Sequence, residues 1–106
     1  MTPRWIYAAA FALTGLSSVS AHAATIQITI DKLVFSPANV TAKVGDTIEW
    51  VNADILAHTA TAKGDWEVVI PSRKSGSAVM KKVGMVDYYC RFHPNMTGRV
   101  VVSNSN

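Results

Sequence analysis

Thr25-Ile26-Gln27-Ile28-Thr29-Ile30-Asp31 alternates without a break, isoleucines on one side and polar residues on the other. A period of two belongs to a half-buried β-strand, and the β-branched side chains suit it. Outward from this stretch, Asn39–Val44 alternates again, Gly45-Asp46 makes a turn, and Thr47–Asn52 resumes with Ile48 and Trp50 facing one way. Trp66–Ile70, Ser77–Val83, Val86–Arg91 and Gly98–Val102 are predicted as further strands. They are separated by Gly64-Asp65, the run from Pro71 to Gly76, Gly84, and the segment Phe92–Thr97. No window longer than ten residues carries a helical stripe. Short strands spaced roughly 8–12 residues apart, with turn signals between them, predict an all-β domain, a sandwich or a small barrel.

Upstream of the first strand the composition changes. Met1-Thr2-Pro3-Arg4 is a short positive region, Trp5 to Leu16 is apolar, and Ala21-His22-Ala23 has the small-x-small form of a cleavage site. The apolar run is about 12 residues, short of the roughly 20 a membrane-spanning helix needs. Residues 1–23 therefore predict a bacterial signal peptide, with residues 24–106 forming the exported, periplasmic domain and no membrane anchor after cleavage. Removing 23 of the 106 residues leaves 83, of which Val, Ile and Thr supply 25.

A domain of that size is marginal on its hydrophobic core alone and commonly adds a disulfide or a metal. With one cysteine in the chain, an internal disulfide, an iron–sulfur cluster, an all-cysteine zinc site and CxxCH haem attachment are all excluded. The formal charge is +3, and the densest basic runs are the pairs Arg73-Lys74 and Lys81-Lys82. That is no footprint for nucleic acid. Metal is the remaining suspect.

Chemistry concentrates in Tyr88-Tyr89-Cys90-Arg91-Phe92-His93-Pro94-Asn95-Met96, which offers a thiolate, an imidazole and a thioether in the spacing Cys-x2-His-x2-Met. His58, the other histidine downstream of the leader, follows the strand Thr47–Asn52 after the loop Ala53–Ala57. Loops cluster at the ends of a sandwich, so His58, Cys90, His93 and Met96 can converge. Singly, each has a plainer reading: Cys90 as a small buried hydrophobe, His58 as a loop histidine, Met96 as packing, His93 as a turn cap. Jointly they form the set of two imidazoles, a thiolate and a weak thioether that defines a blue-copper electron-transfer site, soft enough for Cu(I) and still suited to Cu(II). Met80 and Met85 lie in strand contexts and are expected to be packing.

Phe35-Ser36-Pro37, with Val44-Gly45-Asp46-Thr47-Ile48-Glu49-Trp50-Val51-Asn52, resembles the N-terminal signature of cupredoxins. The segment from Cys90 to Met96, running on through Gly98-Arg99-Val100-Val101-Val102, resembles their C-terminal one. Within that family the short loop Cys-x2-His-Pro-x-Met is most similar to that of amicyanins. The resemblance implies a Greek-key β-sandwich of about eight strands holding one type 1 copper, with the ligand roles falling on His58, Cys90, His93 and Met96. Thr59, Asn52, Phe92 and Pro94 are expected around the ligands. The departures are Thr59, where the family usually has an Asn that ties the ligand loops together, and Ala57 and Phe92, where amicyanins usually have Pro. Thr59 reaches less far than Asn, which leaves room for a looser tie. Phe92 keeps an N–H that can donate to the Cys90 sulfur and raise the potential.

The function these features predict is that of a monomeric one-electron carrier, not an enzyme. Partners are expected to dock at an apolar patch of Phe92, Pro94, Ile55 and Leu56 around His93, rimmed by Arg91, Arg99, Lys63 and Lys81-Lys82. The likeness to amicyanins implies an amine dehydrogenase as donor and a c-type cytochrome as acceptor. The alternative is copper binding and delivery without electron transfer, although delivery sites favour open Met- and His-rich clusters. A cysteine hydrolase built on Cys90 lacks an activating pocket and a substrate cleft. Zinc could bind the same donors, but a thioether adds little for zinc.

Overall fold

Ile28 and Ile30 are fully buried while their polar neighbours face water, as the alternation of this stretch requires. The computed structural model describes residues 22–104, so the leader expected over 1–23 lies outside the described residues up to position 21. The strands are β1 (Thr25–Asp31), β2 (Val34–Ser36), β3 (Asn39–Lys43), β4 (Thr47–Asn52), β5 (His58–Ala62), β6 (Trp66–Ile70), β7 (Ser75–Val79), β8 (Gly84–Cys90) and β9 (His93–Ser103). They form a four-stranded sheet in the order β2-β1-β4-β7 and a five-stranded sheet in the order β3-β9-β8-β5-β6. Each sheet contains one parallel pair, β1 with β4 and β3 with β9; the other pairings are antiparallel.

The described residues thus hold nine strands where about eight were expected. Two lay outside the strands read from sequence. Val34–Ser36 is too short to show a period. His58–Ala62 is buried at every position, so it has no polar face to alternate with. The strand expected at Ser77–Val83 runs Ser75–Val79, because pairing with β4 from Val51↔Ser75 to Thr47↔Val79 sets its ends. The strand expected from Gly98 begins at His93, since β8 pairs with β9 back to Cys90↔His93.

Trp50 from one sheet and Tyr88 from the other meet in the middle of the core. The Trp50 Nε1–H donates to the Tyr88 hydroxyl at 3.2 Å, which satisfies both buried polar groups. Phe35 and Trp66 pack edge-on or tilted around them, with ring centroids 4.8 and 5.6 Å from Tyr88. Gly98 faces this ring, and a Cβ there would overlap the Tyr88 phenol. Met80 is buried as expected, but Met85 is 62% exposed. Met85 lies on the outer face of β8 opposite Val101, which is also exposed, so it packs no core.

Candidate metal centre

Cys90 ends β8, Arg91 and Phe92 make the turn, and His93 opens β9 as the cross-strand partner of Cys90. The Cys-x2-His spacing is therefore a two-residue hairpin turn, and the register shifts between Tyr89 and Cys90. Such an irregularity re-aims side chains at the end of a ladder. Cys90 is fully buried, while His93 is partly exposed. Met96 stands three residues further along and starts the inward row Met96, Gly98, Val100, Val102.

His58 arrives from β5, which flanks β8 on the side opposite β9, as the first residue of that strand and not as part of a loop. Its ring is fully buried, and Nε2 lies 2.8 Å from Asp54 Oδ2. An ionised carboxylate can only accept, so Nε2 carries the hydrogen and the Nδ1 lone pair is left to face the sulfur. Nδ1 of His58 and Nδ1 of His93 each lie 3.7 Å from Cys90 Sγ. All three donor atoms fall within 4.8 Å of one another.

These distances test whether a metal fits. Bonds of about 2.0–2.1 Å to nitrogen and about 2.3 Å to sulfur, set about 120° apart, separate N and S by about 3.8 Å. The two N···S separations match that value, so both nitrogens and the sulfur can reach one ion. Two imidazoles and one thiolate suit copper.

Asp54 was missed in the sequence, and it does more than orient His58. Its carboxylate also accepts the N–H of Lys32 at 2.7 Å and of Leu33 at 3.0 Å. Those two residues form the β1–β2 turn with φ of 54° and 63°, a conformation that non-glycine residues hold only with support. Burial works to raise the Asp54 pKa, but the Leu33 N–H, the His58 ring and the Lys32 N–H outweigh it and hold the carboxyl below its ordinary value. The available signal was an acidic residue four positions before a ligand histidine, since such histidines nearly always find a carboxylate or carbonyl partner. Asn52, 2% exposed, supports the same loop. Its amide donates to the carbonyls of Leu56, Ile70 and Pro71, and its Oδ1 accepts the Asp54 N–H at 2.8 Å.

Thr59 makes the tie between the loops directly, and it is not loose. Its Oγ1 accepts the Arg91 N–H at 2.8 Å, and its own N–H points to Cys90 Sγ at 3.3 Å. The backbone donor found on the sulfur among the described residues is thus Thr59, not Phe92. The tie continues outward. Thr59 and Thr61 hydroxyls lie 2.9 Å apart, Thr61 donates to Glu67 Oε2 at 2.9 Å, and the same carboxylate oxygen pairs with Arg91 Nε. Because Glu67 can only accept, every hydroxyl in this ring has one direction: Arg91 N–H to Thr59, Thr59 to Thr61, Thr61 to Glu67. The Arg91 guanidinium and the Thr61 hydroxyl hold the Glu67 carboxyl below its ordinary pKa. Polar groups joined head to tail in this way strengthen one another.

Of the apolar residues expected around His93, Ile55 is 72% exposed, Leu56 51% and Phe92 50%, while Leu33 of the β1–β2 turn lines one surface cavity with His93, Pro94 and Met96. The basic rim differs from expectation. Arg91 pairs with Glu67 and Arg99 with Asp87. Lys63 follows the far end of β5, and Lys82 pairs with Asp65 beside it, so Lys63 and Lys81-Lys82 lie away from the ligand end of the strands.

The cupredoxin-like domain model matches residues 4–102. Amicyanin from Paracoccus denitrificans is 32% identical over 84 residues, covering 73% of this chain and 64% of that protein, just under two thirds of its length. Amicyanin-alpha from Methylorubrum extorquens is 31% identical over 102 residues, covering 89% of this chain and 86% of that one. The crystal structure of amicyanin from Paracoccus versutus superposes with a TM-score of 0.66 at 29% identity, over 80% of this chain and 86% of the other. With its two-sheet fold and its two-imidazole, one-thiolate cluster, the chain belongs to the cupredoxin-like family.

Proposed function

We propose that the protein is a periplasmic one-electron carrier whose copper is held by His58, Cys90, His93 and Met96. The observation that carries this reading is the convergence of the His58 and His93 Nδ1 atoms on the buried Cys90 sulfur. When bound, copper supplies the one-electron change between Cu(II) and Cu(I). The chain's own part is to keep the donors still. The β8–β9 hairpin holds Cys90 and His93 in register, Asp54 fixes the His58 ring, and the Thr59 N–H donates to the thiolate. Donors held this way rearrange little when the charge changes, which favours fast transfer. His93 is the ligand ring with a partly exposed edge; Leu33 and Pro94 line a surface cavity with it, and Phe92, Ile55 and Leu56 are exposed next to the ligand residues in the chain. A small apolar surface suits brief docking, with release after transfer. A dehydrogenase, of the amine-oxidising kind in the amicyanin-like case, would give the electron and a c-type cytochrome would take it. Residues 1–23 act as the leader that delivers the 24–106 domain to that compartment.

The full burial of His58 and Cys90 favours retention over delivery of the metal. Loading with Cu(II) is expected to give an intense thiolate-to-copper visible band with a matching EPR signal, lost in Cys90→Ser. No band in the parent protein, or an unchanged band in Cys90→Ser, refutes the site. Rapid handover of copper to an acceptor in both oxidation states would favour delivery.

A further inference from the structure

Ala24 stands at the foot of β1 with both backbone polar groups engaged. Its carbonyl accepts the Thr47 N–H at 2.9 Å, and its N–H donates to Asp46 Oδ1 at 2.8 Å. Asp46 is 8% exposed, and its second oxygen accepts the Lys43 N–H at 2.8 Å. Its backbone is pinned too, by the Lys43 carbonyl at 2.9 Å and the Met80 N–H at 2.8 Å, so the carboxylate cannot turn away. The two N–H donors hold its pKa below the ordinary value, and the charge of Lys43 helps more weakly. Among the described residues no Lys or Arg side chain forms an ion pair with it. A nearly buried anion is thus met by two neutral amides, where a cation would satisfy it better.

The small-x-small motif Ala21-His22-Ala23 ends one bond before that donor atom. Ala23 and Ala24 are both exposed, so the bond between them is open to a peptidase. Hydrolysis adds water across the amide: Ala23 leaves as a carboxylate, and the Ala24 nitrogen becomes an amine that takes up a proton. We propose that Asp46 is a binding site for the chain's own amino terminus, receiving the α-ammonium group that processing creates at Ala24. This rests on the reading of residues 1–23 as a leader removed after Ala23. No atom has to move, because the nitrogen already occupies its place. The precursor holds β1 to the β3–β4 turn by a neutral hydrogen bond, and the processed chain holds it by a charge-assisted one. β1 lies inside its sheet between β2 and β4, so the gain reaches a central strand.

The test compares three chains near neutral pH and low salt: one starting at Ala24 with a free amine, one starting at Ala23, and one starting at N-acetylated Ala24. All three present an N–H to Asp46, but only the first places a positive charge on it. Its unfolding constant is expected to be about fivefold smaller than the other two, the difference between a charged and a neutral hydrogen bond. The gap is expected to close in Asp46→Asn. Equal stability of the three chains overturns the proposal, and so does a gap that survives Asp46→Asn. A second readout does not need that variant: the pH dependence of amine labelling is expected to place the Ala24 amine above the ordinary value of about 7.7–8.0, and an ordinary value overturns the proposal. An exported protein whose intact mass shows a different first residue overturns the leader reading instead, whatever the three chains do.

Discussion

Replacing Thr59 by Val keeps the shape of the side chain and removes the oxygen on which two loops meet. Thr59 is fully buried, and its hydroxyl both accepts the Arg91 N–H and connects to Thr61. The valine variant leaves the Arg91 N–H without its acceptor beside the ligand cysteine, and an unsatisfied donor of this kind costs about 1–3 kcal/mol. Thr61 keeps Glu67 as its acceptor, so the loss concentrates at Arg91. Taking about 2 kcal/mol, a domain of this size is expected to melt about 8–16 °C lower. Thr59→Ser keeps the oxygen and loses one methyl group, about 0.8 kcal/mol, so serine should lie between parent and valine. The assay is thermal and urea unfolding of the metal-free protein, paired with hydrogen exchange at the Arg91 amide. That amide is expected to exchange faster in the valine variant and at the parental rate in the serine variant. Valine within about 0.5 kcal/mol of the parent, the usual range of an inconsequential substitution, with Arg91 protection unchanged, would refute the ring as a structural tie.

Three further outcomes follow from the same geometry. Gly98→Ala drives a methyl group into the Tyr88 ring, and the ring cannot retreat without giving up the Trp50 bond; a loss of about 2–3 kcal/mol in urea unfolding is expected, with a changed near-ultraviolet aromatic signal. Asn52→Ala removes the amide that gathers the carbonyls of Leu56, Ile70 and Pro71. It is expected to cost about 2–3 kcal/mol and to speed copper loss to a chelator, since the loop that carries Asp54 is then unsupported. Acid and alkali act through different groups. Asp46 is held below its ordinary pKa by the Ala24 and Lys43 amides, and Asp87 by the Arg99 guanidinium. Depressed carboxyls contribute stability that is complete above their unfolded value of about 3.9 and is lost as pH falls through the folded one. Burial raises the Tyr88 phenol to about 12. Its contribution is complete below about 10 and is lost as pH rises from there through the folded value. Urea midpoints of the metal-free chain with its Ala24 amine acetylated should therefore decline as pH falls below about 4 and as it rises above about 10; a profile that does not decline at one end contradicts the assignment at that end.

How much was legible in advance depended on whether the physics was local. Thr25–Asp31, Thr47–Asn52 and Trp66–Ile70 were read end to end, because a strand with one wet face writes its period into consecutive residues. His58–Ala62 has no wet face and wrote none. Three of the four proposed ligands lie within seven residues, so their spacing alone suggested a metal. His58 joined them by residue type and by the tendency of sandwich loops to gather at one end.

What holds those donors was a different matter. Asp54 on His58, the circuit from Thr59 through Thr61 and Glu67 to Arg91, and the Ala24 nitrogen on Asp46 join residues that chain order does not mark as partners. The basic rim shows the same limit. From sequence, five cations could be gathered near His93. The fold pairs Arg91 and Arg99 with carboxylates and sends the lysines to the other end of the strands. By itself the sequence determined the all-β class, most of the strands and the chemical identity of the metal donors, because period and residue type are properties of short segments. Only the tertiary structure decided which nitrogen of His58 faces the sulfur, which N–H donates to it and which charges remain free. Those depend on distances of about 3 Å between atoms far apart along the chain, and the packing of the two sheets sets them.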